Sequence, residues 1–247
     1  MLVGTRQAYT VVNNTDVVDE YHKDKGTKQM RLDVWESYHG ELRPYPLDSL
    51  QRDGVVDVAR SLLGAILITG NGTNRVVARI IETEAYAGVG DRSCHAANGK
   101  RTPRNEVMYE AGGTAYVYVC YGVHHLLNIV TNKEGVADAV LIRGVVILDG
   151  LDLVAERMKR SEKDLLSEKK RLQMTSGPGK VTKALGITMH HNRSQVNQAS
   201  VGGIVLMRDD FEVEESLIDA TPRVGLNYKE AGDDIYFPWR FTPKGYL

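Results

Sequence analysis

The sequence predicts a single α+β domain with a mixed, largely antiparallel and curved β-sheet, a protruding β-hairpin and flanking helices. Runs of β-branched and aromatic residues of strand length recur along the 247 residues and are bounded by glycine-rich turns. One such turn, residues 70–74, joins two runs closely enough to predict an antiparallel pair. Helical patterns lie at 57–63, 151–173 and 181–185. With 42% apolar residues, the chain is long enough to bury one good core.

The composition indicates a globular protein with almost no net charge. The formal charge is −1 and the pI is about 6.7, so binding of a polyanion would require a local basic face. Cys94 and Cys120 are too few for a disulfide scaffold or a four-thiolate iron–sulfur site, which suits a reducing compartment. The N-terminus lacks the apolar region of a secretory signal, and Arg143 interrupts the longest apolar run. We expect an intracellular protein, in a prokaryotic cytoplasm or a eukaryotic nucleus.

Residues 1–45 are polar, charged and poor in periodicity, and they end at the turn-forming segment Arg43-Pro44-Tyr45-Pro46. We interpret them as an N-terminal extension preceding the domain at 46–247. A flexible arm, a partner-binding tail and a second small element all remain compatible with this composition.

The strand pattern at 76–81 runs directly into Glu82, Glu84 and Tyr86. An ionised carboxylate at the end of a covered strand needs a partner or water. A second apolar run, at 138–148, contains one charged residue, Arg143, between its ends. We therefore predict that Arg143 pairs with Glu82 and Glu84. On residue types alone, a purely structural ion pair is about as probable as a site.

Residues 87–113 form a long loop in this interpretation, and long loops in compact domains are commonly functional. The loop contains a basic stretch at 100–105. The alternation that follows predicts a strand at 114–120 with Tyr116 and Tyr118 on one face, and it places Tyr121 beside a glycine turn. Further strands are expected at 202–207 and around 240–241.

Several motifs resemble other kinds of site and are rejected or left open. Gly179-Lys180 is not a phosphate loop, because Met174 and Val181 occupy positions that need Gly and Ser or Thr. The helix start that follows could dock a DNA phosphate, but a capped turn is favoured. The two His-His pairs, at 124–125 and 190–191, lack metal-ligand spacing, so no metal site is expected. A nucleophile for covalent catalysis is not evident.

The remaining residues form a set that suits a nucleotide extruded from a duplex. Such an enzyme must hold the base between aromatic faces, fill the gap with a wedge and grip the flanking phosphates. The candidates are a carboxylate (Glu84), three stacking rings (Tyr86, His95, Tyr118), a ring at a hairpin tip (Tyr121) and the basic loop.

In order and spacing, these motifs resemble the alkyladenine (3-methyladenine) DNA glycosylase family over residues 55–241. The motifs that carry the resemblance are Glu82-Thr83-Glu84-Ala85-Tyr86, His95, Arg101-Thr102-Pro103-Arg104-Asn105, Tyr116-Val117-Tyr118, Tyr121-Gly122, Asn128-Ile129, Leu141-Ile142-Arg143 and Ser176-Gly177-Pro178. Each motif alone is weak, but so many in register are highly specific. The loop at 88–93 and the pair His124-His125 depart from the family pattern.

The resemblance implies a role for each residue. Glu84 would be the general base that activates water, assisted by Arg143. Tyr86, His95 and Tyr118 would form the walls of the base pocket, where a cationic purine gains cation–π attraction. The remaining roles would be obstruction of the guanine amino group by Asn128, intercalation by Tyr121, and contact with the DNA backbone by Arg101 and Arg104. Apart from the resemblance, Lys180 at the helix start after Gly179 is a further candidate for the DNA backbone.

The implied activity is that of a monofunctional DNA glycosylase that starts base excision repair without a cofactor. Its partner would be double-stranded DNA containing damaged purines, with no membrane association, and a monomer is expected. The implied substrates are 3-methyladenine and 7-methylguanine, with hypoxanthine and ethenoadenine as further candidates. A donor for protonation of neutral leaving bases is not apparent. Two alternatives stay open: a non-catalytic DNA-damage-binding protein, and a nucleoside or glycoside hydrolase.

Overall fold

The computed structural model describes residues 35–197 and 203–245. The described strands form one nine-stranded sheet, and all of their pairings are antiparallel. In chain order the strands are β1 (Arg43–Pro44), β2 (Ile66–Thr69), β3 (Val76–Tyr86), β4 (Ala115–Cys120), β5 (His124–Thr131), β6 (Asp138–Asp149), β7 (Ile204–Arg208), β8 (Ile218–Thr221) and β9 (Arg240–Pro243). The spatial order is β1-β7-β2-β3-β6-β5-β4, and β9 pairs with both β3 and β8. The predicted α+β class is confirmed.

Six α-helices flank the described part of the sheet. They are α1 (Val55–Ser61), α2 (Leu151–Met158), α3 (Glu162–Leu165), α4 (Glu168–Thr175), α5 (Pro178–Leu185) and α6 (Tyr228–Ala231). The single helical region predicted at 151–173 is three helices. Lys159 ends α2 in the left-handed conformation, and a capping box between Ser161 and Asp164 starts α3. Among the described residues, no helix combines the length and apolar character that a membrane crossing requires.

The long strand β3 changes partners along its length. Its first residues pair with β2, as the predicted turn at 70–74 requires, while Thr83 and Glu84 pair with β9. On its other side β3 pairs with β6 throughout, but the register shifts between Ile80 and Thr83. Ile142 is aligned with Thr83 and Gly144 with Glu82, so Arg143 between them has no partner on β3. A bulge of this kind redirects a side chain.

The predicted loop at 87–113 is partly packed against the sheet. Short 3₁₀ turns form at Ala97–Gly99 and Glu106–Tyr109. The loop and the adjoining strands bury a second small core beside the main one. Its members are Cys94, Ala96, Val107, Met108, Tyr116, Val130, Ala137 and Ala139. The loop is therefore fixed against one face of the β4–β5–β6 part of the sheet.

Part of the segment assigned to the N-terminal extension packs against the domain. Trp35 and Tyr45 are buried, and β1 pairs with β7. The backbone carbonyls of Trp35 and Ser37 accept hydrogen bonds from Arg79 in β3. Residues 1–34 of the extension lie outside the described residues.

Candidate active site

The carboxylate of Glu84 is fully buried and has three polar neighbours. Its Oε1 accepts a hydrogen bond from the Val224 backbone N–H at 2.8 Å, and its Oε2 accepts one from the Tyr86 hydroxyl at 2.8 Å. Arg143 Nε lies 3.4 Å from Oε1. The Glu84 side chain is 0% exposed, so bulk water does not reach the carboxylate.

Glu82 completes a buried charged cluster with two arginines. Its Oε1 accepts hydrogen bonds from Arg143 Nε at 2.9 Å and from Arg240 Nε at 2.6 Å. The two arginines belong to β6 and β9, the strands on either side of β3. We call Glu82, Glu84, Arg143 and Arg240 the charged cluster. The ion pair predicted between Arg143 and the two glutamates is therefore present.

The guanidinium of Arg143 retains hydrogen-bonding capacity. Its Nε faces both glutamates, while neither terminal nitrogen donates a hydrogen bond to the described residues. The side chain is 16% exposed, whereas those of Glu82 and Glu84 are 2% and 0% exposed. The Gly177 N–H donates to the Arg143 carbonyl, so the Ser176-Gly177-Pro178 motif closes the bulge that redirects this side chain. Gly177 has φ 105°, a conformation that favours glycine.

Burial raises the pKa of Glu84 above its usual 4.5, since the charged form loses its hydration. The positive charge of Arg143 and the hydrogen bonds from Val224 and Tyr86 offset only part of this effect. The pKa of Tyr86 is raised well above 10, chiefly by burial and next by the Glu84 charge, so its hydroxyl remains a donor. A carboxylate that resists ionisation but is still polarised by an arginine is suited to accepting a proton.

A second buried ion pair supports this site. Arg223 forms two hydrogen bonds with Asp91, at 2.6 and 2.8 Å, and both side chains are fully buried. The guanidinium carbon lies 4.7 Å from the Tyr86 ring centroid and 5.1 Å from that of Trp239. Because the Val224 N–H contacts Glu84, this segment orders both the carboxylate and the neighbouring ring. The sequence does not indicate the roles of Arg223 and Val224, because residues 223–224 follow β8 in a stretch without periodicity.

His95, Tyr116 and Tyr118 lie in mutual contact. The His95 and Tyr118 ring centroids are 4.8 Å apart and nearly perpendicular, and Tyr116 stacks on Tyr118 at 5.2 Å. His95 Nδ1 is 2.9 Å from the Tyr116 hydroxyl oxygen. Tyr86 packs against the same small core as Tyr118. We call Tyr86, His95, Tyr116 and Tyr118 the aromatic cluster; Tyr116 is the member that the sequence analysis did not assign to the base pocket.

Although His95 is exposed as a residue, the pKa of His95 is lowered from 6.5 to about 4. The main cause is that the surrounding protein removes water from the ring, which disfavours its charged form. The positive charges of Arg104 and Lys100 are the next causes. The ring is therefore neutral at physiological pH, with one nitrogen as donor and the other as acceptor.

Asn128 lies on the same side of the sheet as the aromatic cluster. It is the cross-strand partner of Tyr116, and cross-strand partners project to the same face. The side chain is buried, and its Nδ2 donates to the Tyr116 carbonyl at 3.3 Å. This hydrogen bond orients the amide beside the aromatic cluster.

Tyr121 lies at the tip of the β4–β5 hairpin. Its side chain is 90% exposed, and it has φ 51°, followed by Gly122 at φ 70°. Two successive positive φ values make a type I′ hairpin turn, and the left-handed conformation costs a non-glycine residue about 1 kcal/mol. A strained backbone that presents a large ring to solvent is a signal of function and not of packing.

The three predicted backbone contacts differ in their surroundings. Arg101 pairs with Glu106 at 2.6 Å. Lys180, exposed in the first turn of α5, donates to the Gln173 carbonyl. Arg104 lies beside the hairpin, where its Nη2 is 3.4 Å from the Val119 carbonyl oxygen.

A cavity of about 320 Å³ lies along β4 near Arg104. It is lined by Pro103, Arg104, Val117, Tyr118, Val119, Met189 and Asn192. Val117 and Val119 project away from the small core that Tyr116 and Tyr118 contact. The cavity therefore adjoins the aromatic cluster at Tyr118 and does not include Glu84.

The structure brings most of the candidate residues into one region. Glu84 contacts both Arg143 and Tyr86. His95, Tyr118 and Asn128 join them through the small core and the β4–β5 pairing. The hairpin tip and α5 meet at the end of this sheet, where the side chain of His124 lies so close to Gly179 that a Cβ there would be 3.1 Å from it.

A family model described as methylpurine-DNA glycosylase matches residues 49–246. A Chlamydia pneumoniae protein named "Putative 3-methyladenine DNA glycosylase" is 40% identical over 76% of this chain and 89% of its own length. Proteins of the same name from Desulfitobacterium hafniense and Methanocella arvoryzae are each 39% identical. Those matches cover 77% and 76% of this chain, and 90% and 87% of the respective relatives.

Proposed function

This chain belongs to the methylpurine-DNA glycosylase family, and we propose that it releases alkylated purines from duplex DNA by flipping the damaged nucleotide and activating a water with Glu84. The proposed substrates are 3-methyladenine, which the names of the relatives support, and 7-methylguanine. Hypoxanthine and ethenoadenine are further candidates. The domain at 46–247 acts as a monomer on double-stranded DNA inside the cell and needs no cofactor.

The observation that carries this proposal is the buried Glu84 carboxylate, with a raised pKa, beside Arg143. In the proposed reaction Glu84 accepts a proton from water while the water oxygen forms a bond to C1′. The C1′–N9 bond breaks, and its electron pair leaves with the purine. The negative charge of Glu84 also favours the positive charge that develops on the sugar in the transition state. Arg143, held by Glu82, directs its free terminal nitrogens to the water or the adjacent DNA.

The aromatic cluster is the proposed receptor for the flipped base. An alkylated purine is cationic, and stacking a cation on Tyr or His faces contributes on the order of 1 kcal/mol. Asn128 is fixed by Tyr116 and would obstruct the amino group of undamaged guanine. Tyr121 would fill the gap in the duplex, with Arg101, Arg104 and Lys180 near the flanking phosphates.

The direct test is base release from methylated duplex DNA by the wild type and by Glu84→Gln. The variant should lose about 10²- to 10⁴-fold in rate, the usual contribution of a general base. Glu215→Gln is the matched control, because Glu215 is exposed and pairs with Arg60 at the surface. Rates equal to wild type in Glu84→Gln would refute the role of Glu84. Tight binding of damaged DNA with no release by the wild type would favour the non-catalytic alternative.

A second experiment separates a duplex enzyme from a hydrolase of free nucleosides. Tyr121→Ala should lower the rate on duplex DNA, because the intercalating ring stabilises the flipped state. Tyr228→Ala, which removes another exposed tyrosine, is the control. Because the proposed nucleophile is water, strand breaks should appear only after alkali. An unaltered duplex rate in Tyr121→Ala, with release from free nucleosides, would favour the second alternative.

A further inference from the structure

Arg104 lies against the aromatic cluster, although the sequence assigned it to the DNA backbone. Its guanidinium carbon is 4.9 Å from the Tyr118 ring centroid. The side chain also approaches the Val119 carbonyl at 3.4 Å, and within the described part of the chain it forms no ion pair. Arg101, in the same loop, differs on this point, because two hydrogen bonds tie it to Glu106 while it covers Tyr109.

The charge of Arg104 acts on the residues that would hold the base. It is the second cause, after loss of hydration, of the lowered pKa of His95. It also opposes the effect of burial on the pKa of the Tyr116 hydroxyl, which is raised to about 12. These effects place a positive charge within electrostatic reach of both groups.

The other arginine on an aromatic wall is neutralised. Arg223 covers Tyr86, but Asp91 binds it through two hydrogen bonds in a fully buried pair. Arg104 on Tyr118 has no such counterion among the described residues. The end of the aromatic cluster away from Glu84 therefore carries an unbalanced positive charge.

We propose that Arg104 sets the balance between neutral and cationic lesions, favouring neutral purines by donating hydrogen bonds to the base edge and disfavouring alkylated, cationic purines by repulsion. This inference rests on the proposed function, since it requires a flipped base to stack at Tyr118. A cavity of about 320 Å³ adjoins both Arg104 and Tyr118.

The chemistry of the leaving group explains why this charge matters. When C1′–N9 breaks, the bonding electrons stay with the purine. A cationic 7-methylguanine then leaves as a neutral molecule, whereas hypoxanthine leaves as an anion unless it gains a proton. A guanidinium at the base edge stabilises that anion without transferring a proton, since arginine remains protonated. It thus provides the leaving-group assistance for which the sequence showed no donor.

The test is the ratio of single-turnover rates on two duplexes that differ only in the lesion, 7-methylguanine or hypoxanthine. Arg104→Gln should raise the ratio of 7-methylguanine to hypoxanthine rates about tenfold, as expected for removing one nearby charge. Arg104→Lys retains the charge and should return the ratio to within about threefold of wild type. Arg101→Gln is the matched control. It should lower both rates together and leave the ratio unchanged. A ratio is insensitive to the fraction of each variant that is folded.

Three results would overturn the inference. Parallel losses on both duplexes in Arg104→Gln, with a shallower salt dependence of binding, would make Arg104 a phosphate contact only. A wild type that releases 7-methylguanine but never hypoxanthine would also contradict it. A wild type that releases neither base refutes both the proposed function and this inference. In the first two results the wild type still releases 7-methylguanine, so the proposed function survives and only this inference fails.

Discussion

Strand β3 contributes residues to two networks of arginine and carboxylate. In sequence, each network has an arginine within an apolar run, but the two differ in structure. The first joins Arg79 to Asp209, with both side chains 0% exposed. Every nitrogen of Arg79 donates: Nε to Trp35, Nη1 to Gly64 and Asp209, and Nη2 to Ser37 and Asp209. The second is the charged cluster, in which Arg143 uses only Nε. The first network is saturated and the second is not.

The two carboxylates titrate in opposite directions. Burial alone would raise the pKa of Asp209, but its hydrogen bonds and charge interaction with Arg79 outweigh burial and lower the pKa below 3.8. For Glu84, burial prevails and the pKa is raised above 4.5. Burial and an arginine neighbour are therefore common to Asp209 and Glu84. Unused donors on Arg143 and the raised pKa of Glu84 distinguish the charged cluster, and a perturbed pKa of this kind is the basis on which we propose Glu84 as the general base.

The largest effect should come from breaking the saturated network. Asp209→Asn leaves Arg79 buried without a counterion, which should lower the free energy of unfolding at pH 7 by about 3–5 kcal/mol. Urea unfolding measures this, and base release per folded molecule should stay near wild type. Because the pKa of Asp209 is lowered in the folded state, this carboxylate contributes to stability above pH 3.8. That contribution is lost as the pH falls through the folded pKa. A variant as stable as wild type at pH 7 would remove the structural role of this pair.

Arg143→Gln should invert that pattern. Loss of its charge beside Glu84 should slow base release by about 10²- to 10³-fold, as for removal of one transition-state donor. Stability should fall less than in Asp209→Asn, because Arg240 still pairs with Glu82. Single-turnover rates and urea unfolding, measured together with Arg79→Gln, give the comparison. A stability loss in Arg143→Gln that equals the loss in Arg79→Gln, with little change in rate, would mean that both networks are structural.

Glu84→Gln should leave stability unchanged or raise it by about 1 kcal/mol at pH 7, because the neutral amide avoids the cost of a buried charge. The sign follows from the raised pKa. Protonated Glu84 contributes to stability below pH 4.5, its usual pKa. That contribution is lost as the pH rises through the folded pKa. The difference in melting temperature between variant and wild type should therefore shrink on acidification. A melting temperature several degrees below wild type at pH 7 would show that ionised Glu84 stabilises the fold.

The smallest effect is expected for Tyr86→Phe, which keeps the ring and removes its hydrogen bond to Glu84. That hydrogen bond lowers the pKa of Glu84, so its loss should raise the apparent pKa of base release further. The rate on the alkaline plateau should stay within a few-fold of wild type, since a net hydrogen bond contributes about 1 kcal/mol. An apparent pKa that moves downward would contradict the hydrogen-bond geometry.

The sequence predicted the pairing of Arg143 with Glu82 and Glu84 because one arginine interrupted an apolar run. Arg79 likewise lies within an apolar run, but it forms a structural pair with Asp209. Nothing local separates the two. Saturation of Arg79 depends on Trp35, Ser37, Gly64 and Asp209, which come from distant segments of the chain. Period and register predicted the sheet and the shared face of Tyr116 and Tyr118. They could not predict the bulge at Arg143, because a register shift depends on the pairing of two strands.

The residues that the sequence did not identify reach the site from separate segments. Arg240 joins through β9, and Arg223 with Val224 joins through the turn after β8. The resemblance assigned Arg104 to the DNA backbone, whereas its position on Tyr118 depends on how the 87–113 loop packs. Single-residue chemistry was thus predictable, whereas the partners that tune it depend on tertiary contacts.

The most direct test of the account is the pH dependence of single-turnover 7-methylguanine release by the wild type. This lesion needs no protonation to leave, so the rate should report the base alone. We predict a rate that rises tenfold per pH unit and levels off through an apparent pKa above 4.5, the usual value for Glu. In Glu84→Gln the residual rate should be independent of pH over the same range. A wild-type rate that does not change with pH between about 4.5 and 8, or the same rise in Glu84→Gln, would contradict the assignment of Glu84 as the base.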